Sequence, residues 1–167
     1  MSTAVGRLVE SLCTLRPSRL RRRQDWIFLA VVFVAHVSVS ALLAAHHEPW
    51  RDEAQDWLMA RDLGITDIFA LLSYSGHPIL WYATLDVLNG LGLPYGAMFV
   101  WNLLLAWGAV AVFLLFSPFS KPLKVLVVFS APFVFEYAVV ARGYALCMLL
   151  LFAVTALHQK RAERPVV

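Results

Sequence analysis

From Trp26 to Ala45 the chain runs apolar without a charge, and His36 is the only strongly polar residue in the run. About 20 residues rising about 1.5 Å each cross a hydrocarbon core of about 30 Å, so the pattern predicts a first transmembrane helix over 26–45. A second such run covers 95–116. Shorter apolar runs over 123–138 and 144–157 predict a third and fourth crossing, with tilt or burial of their polar ends making up the missing length. The stretch between the first two spans is mixed in character. Within it, 78–91 is too short to cross, reaching about 21 Å as a helix, and it carries Thr84, Asp86 and Asn89. An amphipathic helix lying at the interface fits this pattern, with Pro78 at its first position and Trp81 and Tyr82 as interfacial anchors.

The segment 51–63 reads as a further short helix, started by Pro49 and ended by Gly64. Trp50, Ala54, Trp57, Leu58 and Arg61 fall along one side of it, while Asp52 and Asp56, four apart, share another. The expected fold is therefore an all-α polytopic membrane protein. It has a leader over 1–25 and a membrane domain over 26–158 with spans near 26–45, 95–116, 123–138 and 144–157. A long outer loop over 46–94 carries two interfacial helices, and a tail follows over 159–167.

Composition and charge orient this arrangement. Of the 167 residues 60% are hydrophobic and 15% charged, well below the roughly one quarter charged of soluble domains. Arg7, Arg16, Arg19, Arg21, Arg22 and Arg23 precede the first run, Lys121 and Lys124 follow the second, and Lys160, Arg161 and Arg164 close the chain. The positive-inside rule places all of these in the cytoplasm. Glu48, Asp52, Glu53, Asp56, Asp62, Asp67 and Asp86 then lie on the outer face of a multi-pass inner (plasma) membrane protein with both termini cytoplasmic. The first run exceeds a signal-peptide core of about 7 to 15 residues and reads as an uncleaved anchor. The leader arginines orient that anchor and touch anionic lipid, so no nucleic-acid partner is expected. Cys13 and Cys147 imply no disulfide framework.

The densest charge is WRDEAQDW, Trp50 to Trp57. Alone, its acids favour a helix amino end and its tryptophans a headgroup depth, which describes a solvated interfacial helix. Together with SGHPILWY (Ser75 to Tyr82) and EYAVVARGYAL (Glu136 to Leu146), the RDEA of Arg51 to Ala54 resembles the opening of a family 39 type glycosyltransferase of the GT-C superfamily. Protein O-mannosyltransferases and aminoarabinose transferases are of this kind. Ile79 stands where that family commonly has a second proline. The resemblance covers roughly 26–157 and implies transfer of a sugar from a polyprenyl-phosphate carrier to an acceptor on the outer face. It also implies more spans than four, so the chain is expected to be an amino-terminal portion, or to work with a second membrane chain that completes the fold.

By that resemblance the catalytic candidates are Asp52, as base for the acceptor hydroxyl, and Glu53 in reserve; adjacent helical residues point about 100° apart, so the two do not share one role. The substrate-binding candidates are Arg51, His77, Tyr82, Arg142 and Tyr144. A guanidinium fork suits phosphate oxygens, which favours Arg142; its simpler role is an ion pair with Glu136. His77 sits where the Pro78 helix amino end attracts anions, and is equally suited to capping that helix. Arg51 also reads as a headgroup-snorkelling side chain, and Tyr82 and Tyr144 as belt aromatics. The adjacent His46 and His47 cannot easily face one ion, so neither metal nor cofactor is expected. The reading from a different class is a non-enzymatic integral membrane adaptor or assembly protein, or an inactive remnant. Its acidic loop would dock a partner without depending on any one carboxylate.

Overall fold

The computed structural model describes residues 23–75 and 78–162, whose regular structure is all helical, with no strand among them. The helices are α1 (Arg23–Ala45), α2 (Arg51–Asp62), α3 (Ile65–Ser75), α4 (Ile79–Gly90), α5 (Gly96–Phe116), α6 (Lys121–Val128) and α7 (Tyr144–Ala162), with a π-helical turn at Pro132–Glu136. Two of them, α1 and α5, are long and apolar enough to cross a membrane, and the apolar part of α7, Tyr144–Gln159, is shorter.

Side-chain pairings give the helix directions. Lys121 meets Asp25 at 2.5 Å, the indole nitrogen of Trp107 donates to the Ser40 hydroxyl at 3.0 Å, and Leu29 and Val32 share a core with Val110 and Leu114. Numbers rise along α1 as they fall along α5, so the pair is antiparallel. Ala106 packs in one core with Ala145, and the Phe113 ring lies 5.4 Å from that of Phe152, which makes α5 and α7 parallel. A return segment over 121–143 must therefore carry the chain back from the carboxyl end of α5 to the amino end of α7. It runs beside α1: Lys121 meets Asp25, the Val128 carbonyl meets His36, and Phe135 meets the His47 ring.

The return segment is not the single helix that its apolar run suggests. Pro132 has no N–H to donate, so the helix breaks there and resumes as one wide turn, closed by Tyr137 N–H to the Pro132 carbonyl at 2.8 Å. Broken backbone packed inside apolar protein needs replacement partners. Asn102, fully buried on α5, supplies them: its amide nitrogen lies 3.2, 3.0 and 3.3 Å from the carbonyls of Tyr137, Ala138 and Val140. A ring nitrogen of His36 does the same for the Val128 carbonyl at 3.1 Å. Lys124, expected in the loop after the second span, is buried in α6 and caps the end of α5, its side-chain nitrogen donating to the Leu114 carbonyl at 2.6 Å.

The stretch 46–94 holds three short helices rather than two. The extra one, α3, buries Ile68 and Leu72 against α4. Pro78 caps α4 from outside instead of opening it. Trp81 and Tyr82, expected as interfacial anchors, are buried beneath α2. Gly92, at φ 72°, makes the tight turn from α4 to α5 that a side chain would strain. The core has two parts. One, around Leu29, Val110, Leu114 and Val128, lies at the Asp25 end; the other, around Trp57, Ile68, Trp81, Leu85, Met98 and Ala145, seats the three short helices on α5 and α7.

Asn102→Leu keeps the volume but strands the carbonyls of the return segment. It should lower unfolding stability in detergent by about 1–3 kcal/mol, the cost of an unsatisfied buried polar group, measurable as a shifted midpoint on titration with denaturing detergent.

Candidate functional site

The face that α2 turns inward is its acidic one. Glu53, Asp56, Trp57 and Ala60 are buried, whereas Trp50 and Leu58, on the same side as Trp57 by helical spacing, are exposed. Acids are buried only where donors meet them, and each of these carboxylates has its own set.

Glu53 is fully buried. One oxygen accepts the Ala141 N–H at 2.6 Å. The other accepts the Trp50 N–H at 2.6 Å, which is the return half of a capping box, and lies 2.9 Å from His47 Nε2. Asp56, 4% exposed, accepts the Tyr82 hydroxyl at 2.7 Å on one oxygen and the Trp81 indole N–H at 3.1 Å on the other. Asp52 is more than half exposed and accepts from Arg142 Nη1 at 2.9 Å.

These contacts join three distant parts of the chain. Asp52 and Asp56 come from α2, Tyr82 from α4, and Arg142 from the last residues of the return segment. They line one cavity of about 410 Å³ together with Gln55, and Met59, Leu71 and Leu72 form its apolar wall. Gly143, next to Arg142, allows the approach. A Cβ at this position would meet the Trp81 side chain at 3.2 Å, closer than packed carbons ordinarily come. Another cavity, about 300 Å³ between the ends of α5 and α7 around Phe113, Phe116 and Phe152, has no ionisable side chain in its lining.

Of the residues singled out in the sequence, Asp52, Tyr82 and Arg142 line this cavity. Arg142 pairs with Asp52 and not with Glu136. Glu53 is adjacent but turned the other way, into the protein. Tyr144 is half exposed; its ring lies 6.0 Å from the Arg142 guanidinium and 5.9 Å from the Tyr137 ring, and it borders a neighbouring apolar groove. Arg51 is exposed and outside the cavity lining. His77 lies outside the described residues. His47 turns to Glu53 and His46 to the Leu42 carbonyl, and no group of three metal-ligating side chains occurs among the described residues. Asp56, Gln55 and Met59 were not singled out from sequence as site residues; the spacing of Asp56 from Asp52, one helical turn, was the available signal.

Burial first, then the hydrogen bond to Asp56 and the charge of that carboxylate, push the Tyr82 phenol well above its ordinary 10.0, with Arg142 pulling weakly the other way. At neutral pH Tyr82 is a neutral donor that fixes the Asp56 carboxylate in place.

Comparison with protein-family models, with curated proteins and with solved structures finds no match to this chain.

Two outcomes follow from this geometry. Glu53→Ala strands three donors and should cost about 3–5 kcal/mol, whereas Asp52→Asn should stay within about 1 kcal/mol because its ion pair is exposed; detergent unfolding of the two variants separates them. Because the folded protein holds the Tyr82 proton more tightly than the unfolded chain, stability from this group is intact below pH 10.0 and falls as the pH rises above it. In wild type the pH titration of phenolate absorbance should contain a tyrosine that ionises only on unfolding, and Tyr82→Phe should remove it.

Proposed function

We propose that the chain is a membrane glycosyltransferase of the lipid-linked-sugar kind, or the part of one that carries its acid and phosphate groups. The reading assigns it to an inner (plasma) membrane, with the cavity on the outer face. The observation that carries the proposal is convergence. RDEA, the LWY of Leu80 to Tyr82 and ARGY of Ala141 to Tyr144 are separated by long apolar stretches, yet Asp52, Tyr82 and Arg142 meet in one cavity. A docking loop on an adaptor has no need to bring two carboxylates, a buried phenol and an arginine to one concave surface.

In this reading Arg142 takes the phosphate of a polyprenyl-phosphate-linked sugar through its forked donors. Releasing Asp52 from Arg142 leaves an exposed carboxylate free to accept the acceptor's hydroxyl proton as that oxygen attacks the sugar carbon. The sugar–phosphate bond breaks, and Arg142 compensates the charge that grows on the departing phosphate. Asp56, held by Tyr82 and Trp81, offers acceptor oxygens to the sugar. Glu53 is a positioning residue: it ties the first turn of α2 to the backbone immediately before Arg142 and so sets the Asp52–Arg142 distance.

The reading includes four crossings: α1, α5, the return segment and α7. The course of the return segment beside α1, from Asp25 to His47, supports the third, and the parallel packing of α7 on α5 supports the fourth. Lys121, Arg161 and the leader arginines then share the cytoplasmic side.

The test uses the full chain in membranes. With polyprenyl phosphate as the probe, Arg142→Ala should weaken binding by about ten-fold or more, the value of a lost charged hydrogen bond, while the protein still accumulates and unfolds normally. Asp52→Asn should bind the probe as wild type does and release no sugar from a polyprenyl-phosphate-linked hexose. Undiminished release by Asp52→Asn sinks the role of Asp52, and equal graded losses on neutralising Asp52, Glu53 and Asp56 singly favour the adaptor.

A further inference from the structure

The cavity between the ends of α5 and α7 takes no part in the proposed transfer. It holds about 300 Å³, and much of its wall is phenyl ring: Phe113 lies 5.8 Å from Phe119 and 5.4 Å from Phe152, centroid to centroid. Three polar side chains interrupt the apolar lining, Ser117, Thr155 and Gln159. Thr155 turns its hydroxyl back to its own helix, 3.0 and 2.9 Å from the Leu151 and Phe152 carbonyls. Ser117 differs. Its N–H closes α5 by donating to the Phe113 carbonyl at 3.0 Å, while its hydroxyl oxygen is out of reach of solvent and has no hydrogen-bond partner among the described residues. A buried hydroxyl in that condition is destabilising, and a ligand that supplies an acceptor removes the penalty.

The depth of Ser117 narrows the choice of ligand. α5 runs 21 residues from Gly96 to Phe116 without a charged side chain, and Ser117 comes next. Four residues on, Lys121 pairs with Asp25, and Gln159 leads into the basic run KRAER. Ser117 therefore stands where hydrocarbon gives way to headgroups, with the phenyl rings on its hydrocarbon side. One wall is open sideways to the bilayer: Leu151 lines the cavity and is 62% exposed on the apolar outer surface of α7. Between Gln159 and Leu151 the helix rises about 12 Å, a path along which an alkyl chain can lie against the rings. We propose that this cavity binds one acyl chain of a glycerolipid from the surrounding leaflet, the ester carbonyl of that chain accepting from the Ser117 hydroxyl. An ester lipid carries its carbonyls at this same boundary, directly above its first methylene groups. The carbonyl thus reaches Ser117 while the chain lies between Phe113 and Phe152. The inference rests on the membrane placement of the proposed function and does not depend on sugar transfer.

The experiment compares two phosphatidylcholines of equal chain length, one with ester and one with ether linkages, so that the second lacks only the carbonyls. The full chain in dodecyl maltoside is titrated with each, and bound lipid is counted by native mass spectrometry. The ester lipid should bind about five-fold tighter, the effect of one hydrogen bond, and Ser117→Ala should lower it to the affinity of the ether lipid. Equal affinity in wild type overturns the inference without any variant, and so does a gap that survives Ser117→Ala. The place of binding is read separately, with an ester phosphatidylcholine that carries a diazirine at mid-chain. After illumination its adducts should fall on 112–119 and 151–159, and excess unlabelled ester lipid should suppress them. Adducts spread evenly to the exposed Val31 and Val34 of α1 overturn the site. So does a dimer whose cavity residues take no adduct, since a second copy then covers them. The two wild-type measurements decide the matter if Ser117→Ala does not accumulate. A chain that shows the ester preference and transfers no sugar leaves this inference standing, and one that transfers sugar without the preference leaves the transfer standing.

Discussion

The fold around the cavity depends on one buried carboxylate. Glu53 sits fully inside the protein and accepts from the Trp50 N–H, the Ala141 N–H and His47. Each donor belongs to a different piece of structure. Trp50 is the cap of α2, His47 is in the link from α1, and Ala141 ends the return segment. Removing a carboxylate from water costs several kcal/mol, and only a full set of donors offsets it. The three pieces therefore hold Glu53 in place as much as it holds them, and Arg142 inherits its position as the residue after Ala141.

The return segment makes that arrangement possible. A continuous helix would carry all its own backbone hydrogen bonds and present no free N–H to Glu53 at residue 141. The break at Pro132 leaves backbone groups to be satisfied by side chains, with Asn102 and His36 taking carbonyls and Glu53 taking an N–H. Polar side chains inside apolar helices are costly and usually have a stated task. Here the task is to let a kinked segment pass through packed protein and end with Arg142 facing α2.

How much of this could be read in the sequence follows from the same physics. The long helices α1 and α5 were legible because an uninterrupted apolar run over a bilayer's length has few other uses. The helix over α2 was legible from Pro49 and Gly64. Its orientation was not, since tryptophans suit a headgroup depth and acids look solvated. What buries Glu53 is an N–H 88 residues away, and what buries Asp56 is a phenol 26 residues away. Neither leaves a periodic trace. Trp81 and Tyr82 were misplaced for the same reason: amphipathic aromatics fit a headgroup depth by type, and only the position of Asp56 shows that their polar tips are used inside. The pairing of Arg142 with Asp52 instead of Glu136 again turns on the return segment, whose last residues are irregular and cannot be placed by helical spacing.

Within a single turn and a half of α2, three carboxylates have three different surroundings. Residues 52, 53 and 56 are set about 100° and 300° apart around the axis. One therefore faces the cavity mouth, one faces the protein and one faces the cavity floor. Asp52 is more than half exposed and pairs with Arg142. Glu53 is satisfied on both oxygens and structurally committed. Asp56 is buried and accepts from the Tyr82 hydroxyl and the Trp81 indole. Two carboxylates with matched surroundings would compete for the same proton or the same cation. Separating the environments lets a single short helix supply an anchor inside the protein, an exposed ion-pair acid and a buried acid at the cavity without conflict, and it explains why so much charge is gathered at one place in an otherwise apolar chain.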